Sequence, residues 1–110
     1  MGAFVKGDIV VAYFPFSDLS DAKKRPALVL AQLRGNDVIL CQITSQAVRD
    51  SDAVILEQAD FVDGGLRQTS NIRPNRLFTA EESIILYRAG IIRAQKLAEV
   101  QQQLIAILTQ

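Results

Sequence analysis

The sequence predicts a mainly β domain: a small barrel or rolled antiparallel sheet with one C-terminal helix packed on it. Three observations carry this. Six or so short runs rich in β-branched and aromatic residues follow one another at close spacing. Gly, Pro, Asn and Asp punctuate them where turns are needed. The hydrophobic period turns helical only near the end, from about Ala94. Short strands followed by a single helix pack best as a helix on a rolled sheet.

Each element can be read in order. Ile9 to Phe14 is a first strand, entered through Lys6-Gly7-Asp8 and stopped by Pro15. Ser17 to Lys24 reads as a polar loop. Pro26 to Leu33 is a second strand, apolar on both faces as a buried strand is. Arg34-Gly35-Asn36-Asp37 has tight-turn chemistry, so Val38 to Thr44 returns as the third strand of a hairpin. Ser45 to Ser51 is a loop, Ala53 to Leu56 a short strand, and Asp63-Gly64-Gly65 a turn. Ser70 to Phe78 is extended. Pro74 cannot donate to a ladder, so part of this run lies at an edge or bulge. Ser83 to Arg93 opens as a strand, and Gly90 inside it marks a bend or a close backbone approach. Leu97, Val100, Leu104 and Ile107/Leu108 then recur at helical spacing. The helix start has no Ser, Thr, Asp or Asn cap.

Composition excludes several function classes. At 110 residues the chain is one domain long, and 49% apolar content suffices for one core. No apolar run approaches the ~18 residues of a membrane span. Met1 to Lys6 carries no apolar stretch of the signal-peptide kind. One cysteine, Cys41, rules out an internal disulfide and a Cys-cluster metal site. A cytoplasmic protein is expected. The chain has no histidine, which removes Ser-His-Asp and Cys-His nucleophile systems. Proton transfer is left to Asp, Glu, Lys, Arg, Tyr or hydroxyls.

Twelve basic and twelve acidic residues balance to zero, but they are sorted. Ala22 to Asn36 holds Lys23, Lys24, Arg25 and Arg34 without an acid. Gly64 to Ala80 holds Arg67, Arg73 and Arg76, again without one. Between them, Asp50 to Asp63 holds Asp50, Asp52, Glu57, Asp60 and Asp63 without a base. Such sorting builds either a polyanion-binding face or an ordinary solvated surface.

Four places could carry chemistry. Lys23-Lys24-Arg25-Pro26 sets three cations at the mouth of a buried strand. Pro26 biases Arg25 towards extended backbone, which holds a guanidinium fork in place for phosphate; the alternative is a solubilising turn. Hairpin pairing brings Thr44 and Ser45, at the end of the third strand, back beside Arg25; the alternative is a β-former followed by a turn residue. Arg73 and Arg76 suit phosphate contact and Asn75 a base edge, or all three belong to a charged edge strand that blocks aggregation. Phe14-Pro15-Phe16 presents rings that either stack on bases or plug the core.

The order of motifs adds a resemblance. Lys6-Gly7-Asp8-Ile9-Val10-Val11, then Phe14-Pro15-Phe16-Ser17-Asp18-Leu19, then Lys24-Arg25-Pro26-Ala27-Leu28-Val29-Leu30 resembles the opening of the PemK/MazF toxin family. Ile43-Thr44-Ser45, Gly65-Leu66 followed by Ser70, and Leu77-Phe78-Thr79 continue the match over essentially the whole chain. The resemblance implies a single SH3-like barrel domain that dimerises, a toxin held inactive by a cognate antitoxin. It implies sequence-specific cleavage of single-stranded RNA by the substrate's own 2′-hydroxyl, leaving 2′,3′-cyclic phosphate and 5′-hydroxyl ends. DNA would be met only through the toxin–antitoxin complex. By motif position the family's catalytic arginine falls on Arg25 and its threonine on Thr44. The second arginine of PemK-type members falls on Arg73. Two positions on, where some of those members carry an acid, stands Asn75, which cannot act as a base. The MazF-style pair of Arg25 and Thr44 is therefore expected to be catalytic. Lys23, Lys24, Ser45, Arg73, Asn75 and Arg76 are the expected RNA contacts. Internal attack needs alignment and charge stabilisation, with no metal or cofactor. Two other readings stand beside this one: a non-cleaving RNA-binding barrel, and a CcdB-like gyrase poison. The latter relatives use a tryptophan near the C-terminus, and this chain has none.

Overall fold

The computed structural model describes residues 3–14, 23–48 and 51–110. Seven strands form one sheet: β1 (Asp8–Phe14), β2 (Lys23–Gln32), β3 (Asp37–Thr44), β4 (Val54–Leu56), β5 (Phe61–Gly64), β6 (Ser70–Glu81) and β7 (Ile85–Ile92). Their spatial order is β4-β6-β3-β2-β1-β7-β5. Every neighbouring pair is antiparallel. One helix, α1 (Ala94–Thr109), follows. The expected mainly β architecture with a terminal helix is what forms.

The sheet must curl. β4 and β5 are its two opposite edges, yet β4 ends at Leu56 and β5 begins at Phe61. The intervening 3-10 turn, Gln58–Asp60, is too short to cross a flat seven-stranded sheet. Five peptide steps span at most roughly 18 Å, whereas six inter-strand spacings come to roughly 28 Å. Both edges accordingly meet in one core: Val54 and Leu56 from β4 and Phe61 from β5 join Ile9, Leu28, Cys41, Ile43, Ile72 and Ile92. Val100 of α1 is fully buried there, and Leu97 packs beside it. Burial of a side chain such as Val100 stabilises by about 1.5–3 kcal/mol.

Alternation along the strands fills the other face. Val10, Ala12, Ala27, Val29, Val38, Leu40 and Ile85 form a second buried cluster with Phe14. β2 thus contributes Leu28 to one core and Ala27 and Val29 to the other, as its unbroken apolar run requires. Phe14 is 2% exposed and meets Phe78 edge-on, with ring centroids 4.9 Å apart. That settles Phe14 as a core ring. Phe16 lies outside the described residues.

Polar anchors hold α1 over the β4 edge. Lys96 Nζ donates to the Ile55 carbonyl at 2.9 Å and lies 3.7 Å from Asp60. Gln103 Nε2 donates to Asp52 at 3.0 Å. The helix has no side-chain cap at Arg93, as its sequence indicates.

Four boundaries differ from the sequence reading; the simplest is β6, which runs on past Phe78 to Glu81. β2 starts at Lys23, so Lys23 and Lys24 belong to a strand and not to the polar loop; the rest of that loop lies outside the described residues. β1 supplies the ladder that extends them, through Phe14↔Lys23 and Tyr13↔Lys24. Phe61–Gly64 is a strand, where the sequence reads only as a turn, because four residues ending in Asp63-Gly64 carry almost no periodic signal. Ser83 and Ile84 lie in a 3-10 turn, Glu82–Ile84, before β7.

Gly90 makes the close approach that its place in the sequence indicates. Paired with Gly64, it lies where a Cβ would stand 2.6 Å from the Asp63 carbonyl oxygen and 2.7 Å from the Phe61 ring. Neither neighbour is a flexible chain end. Gly90→Ala should therefore cost about 1–3 kcal/mol, the usual range for overpacking. Chemical denaturation checks this: a midpoint unchanged from wild type would show that β5 is not clamped on β7 there.

Candidate functional site

The basic run at the head of β2 is held by β1. Arg25 stands opposite Ala12, and Pro26 opposite Val11. Pairing to β3 begins one residue later, at Ala27↔Gln42. Pro26 thus sits where one flank of the strand is only just gaining a partner, a place that tolerates a missing N–H. Arg25 is half-buried on a rigid strand, and Lys24 is exposed.

β3 brings the hydroxyls to this point. Its register with β2, Ala27↔Gln42 and Leu28↔Cys41, places Thr44 opposite Arg25 when carried two residues outward. Residues directly opposite in an antiparallel pair share a face. Thr44 is half-buried, and its Oγ1 accepts the Gln46 N–H at 3.2 Å. That bond occupies a lone pair and leaves the hydroxyl proton for an outside acceptor. Asn71, opposite Thr44 on β6, donates through Nδ2 to the Gln46 carbonyl at 3.2 Å and braces the chain as it leaves β3.

A cleft of about 290 Å³ opens over this junction. Lys24, Arg25 and Pro26 form one side, and Ile43 through Gln46 another. Leu66, Arg67, Gln68 and Ser70, from the β5–β6 connection and the start of β6, complete it. Ser70 is 3% exposed and donates to the Gln68 carbonyl at 3.0 Å. Among the described residues the lining contains three cations and no carboxylate. Its field therefore attracts an anion, and a guanidinium beside a hydroxyl suits a phosphodiester. Among the described residues no cluster of His, Cys, Asp or Glu could hold a metal ion.

Of the residues singled out from sequence, Lys24, Arg25, Thr44 and Ser45 line this cleft. Lys23 is exposed one residue outside it. Arg73, Asn75 and Arg76 do not line it. They lie in a bulge of β6: Ile43 pairs with Ile72 and Cys41 with Leu77, so residues 73–76 oppose Gln42 alone. This is the bulge that Pro74 signals, with Pro74 buried and Asn75 and Arg76 exposed. Gln46, Arg67, Gln68 and Ser70 also line the cleft, and sequence reasoning does not single them out as contacts. Arg67 carries a signal, the acid-free run from Gly64 to Ala80. The two glutamines carry none.

Comparison with known proteins identifies the family and the fold. A family model described as PemK-like, MazF-like toxin of type II toxin–antitoxin system matches residues 5–108. No curated protein matches the sequence. Among solved structures, an endoribonuclease in complex with its cognate antitoxin from a mycobacterial species superposes with a TM-score of 0.77 at 13% identity, over 97% of this chain and 96% of that one. MazF from Deinococcus radiodurans gives 0.76 at 22% identity, over 97% of each chain. The Mycobacterium tuberculosis toxin MazF-mt6 gives 0.74 at 18% identity, over 93% and 96%. At these identities the structures share the fold.

Cys41 supports the bulge from beneath. Its buried thiol donates to the Arg73 carbonyl at 2.9 Å. Desolvation by burial is the largest cause that pushes its pKa up from 9.0 to about 12. In the unfolded chain the thiol ionises first, so the unfolded state holds fewer protons once pH exceeds about 9. Stability should fall with a slope of up to ~1.4 kcal/mol per pH unit between about 9 and 12. Denaturation midpoints of wild type and Cys41→Ala across pH 8–10.5 test this. The wild type should show an extra downward slope that the variant lacks, and parallel curves would show the thiol is not buried.

Proposed function

This chain belongs to the PemK-like, MazF-like toxin family of type II toxin–antitoxin systems, and from that premise we propose that it is an endoribonuclease cutting single-stranded RNA at a short sequence. The observation that carries this reading is the cleft that Arg25 and Thr44 both line, whose described residues supply three cations and no carboxylate. That chemistry fits a polyanion, and the hydroxyl and guanidinium fit one phosphate of it.

In the proposed reaction the 2′-oxygen of the nucleotide attacks the adjacent phosphorus. The 2′-O–P bond forms and the P–O5′ bond breaks; the proton of the 2′-hydroxyl passes to solvent water, the 5′-oxygen takes one from Arg25, and Arg25 takes one back from solvent. The products are a 2′,3′-cyclic phosphate and a 5′-hydroxyl. Arg25 neutralises the charge that develops on the pentavalent phosphorus and protonates the leaving oxygen. Thr44 donates its free proton to a non-bridging oxygen, which its bond from Gln46 N–H orients it to do. Lys24 and Lys23 draw the strand in, and Ser45 and Arg67 hold neighbouring phosphates. DNA lacks the attacking hydroxyl and resists. Arg73, Asn75 and Arg76 form an outer contact on the β6 bulge. The protein acts as a homodimer, and its antitoxin covers the cleft with an acidic segment that competes with RNA for the same cations.

Purified protein incubated with a long unstructured RNA in EDTA should leave 5′-hydroxyl ends. Arg25→Ala should lower the rate by about 100- to 1,000-fold and Thr44→Val by about 10- to 100-fold, both with the fold intact by circular dichroism. RNA bound but never cut would instead leave a non-cleaving RNA-binding barrel. Loss of metal-independent cleavage in EDTA would sink the internal-attack mechanism.

The lysines should behave differently from Arg25. Replacing Lys23 and Lys24 by Ala should weaken RNA binding and flatten its salt dependence, by about 0.7 in log–log slope for each phosphate no longer neutralised. The cleavage rate at saturating RNA should change little. Equal effects on binding and on saturated rate for all three residues would refute this division.

A further inference from the structure

Sequence selectivity needs groups that phosphate contacts do not supply, since a cation on a phosphate reads no base. We infer that Gln46 and Gln68 are the base-reading residues of the cleft, an inference that rests on single-stranded RNA being its ligand. Both line it, one leaving β3 and the other just before β6. Both have their main chain pinned by hydrogen bonds. The Gln46 carbonyl accepts from Asn71 and its N–H donates to Thr44, while the Gln68 carbonyl accepts from the buried Ser70. Among the described residues neither carboxamide has a hydrogen-bond partner of its own.

This combination matters physically. A long polar side chain on mobile backbone discriminates poorly, because ordering it costs the entropy that recognition should yield. Here the backbone is already fixed, and only the side-chain torsions remain to be ordered on binding. A carboxamide offers one donor and one acceptor side by side, the pattern that matches a base edge such as adenine N6/N7. Leu66 and Pro26, both half-buried, give the cleft apolar surface on which the faces of unstacked bases can rest. The lining thus divides by chemistry: cations and hydroxyls for the backbone, apolar side chains for base faces, and two amides for base edges.

The two glutamines arise from different connections, so each should read a different position of the RNA. The test uses a randomised RNA pool carrying 2′-fluoro at every nucleotide, which cannot be cut. Wild type, Gln46→Ala, Gln68→Ala and the isosteric Gln46→Glu and Gln68→Glu are each used to select binders, which are then sequenced. Wild type should enrich a short motif. Each alanine variant should lose about 5- to 100-fold of discrimination at one position, a different one for each. The glutamate variants, which can only accept, should change the preferred base there. Enrichment of no motif by wild type, or variants that bind all sequences uniformly more weakly, would overturn the inference. Because the pool is uncleavable, motif reading without cleavage of natural RNA would refute the proposed reaction and leave this inference standing. Cleavage at a motif that all four variants retain would do the reverse.

Discussion

The antiparallel register between β2 and β3 is the constraint on which the site depends. It joins Ala27 to Gln42 and Leu28 to Cys41, and by continuation Arg25 to Thr44. Strand side chains alternate with a period of two, so a slip of one residue would send every side chain to the opposite face. Both faces of β2 are buried in different cores, so a slip would misplace Leu28, Ala27 and Val29 together. Two packed cores therefore enforce the register far more strongly than any interaction at the cleft itself. The Arg25–Thr44 juxtaposition is a consequence of hydrophobic burial elsewhere in the hairpin. The site needs no attractive contact of its own to assemble.

The remaining cleft residues depend on the same sheet by a longer route. β6 pairs with β3 beyond the hairpin, so Ser70 reaches the cleft, and Asn71 the Gln46 carbonyl, only because Ile72 packs opposite Ile43. The bulge at residues 73–76 then absorbs the change in register before Leu77 meets Cys41. Its position decides which part of the second basic segment faces the cleft. Residues ahead of it, Arg67 and Gln68, line the cleft; residues within it, Asn75 and Arg76, stand exposed away from it. The curl of the sheet completes the arrangement, since β5 must return across the opening for Leu66 to reach the cleft.

The parts of the fold that rest on local chemistry are legible in the sequence. β1, the β2–β3 hairpin, the bulge at Pro74, the close approach at Gly90 and the terminal helix all leave composition or period signals strong enough to read. Arg25 and Thr44 come together from hairpin logic alone. What stays illegible depends on distant pairing. Lys23 and Lys24 look like a solvated turn because nothing local says that β1 runs alongside them. Phe61–Gly64 is a strand only because β7 lies next to it. Gln46 and Gln68 lie in different connections, and no spacing rule relates residues whose neighbourhood is set by how a barrel curls. Arg73 and Arg67 both belong to one acid-free run, and only the bulge between β3 and β6 separates their places.

The absence of histidine shapes how such a site can be controlled. Guanidinium and ammonium groups stay charged across physiological pH, and a threonine hydroxyl does not titrate there. With no histidine in the chain, the cleft lacks the side chain that most often serves as a protonation switch in that range. Under the proposed function, no imidazole in the chain gates either the attraction for RNA or the reaction. The available lever is occupancy. A partner that binds the cleft would compete by mass action with the proposed RNA, and it would have to neutralise the same cations. An acidic segment does this without requiring any conformational change in a sheet whose register two cores hold fixed. Inhibition by a stoichiometric protein partner, the arrangement that defines a type II toxin, is therefore the form of control this cleft's chemistry favours.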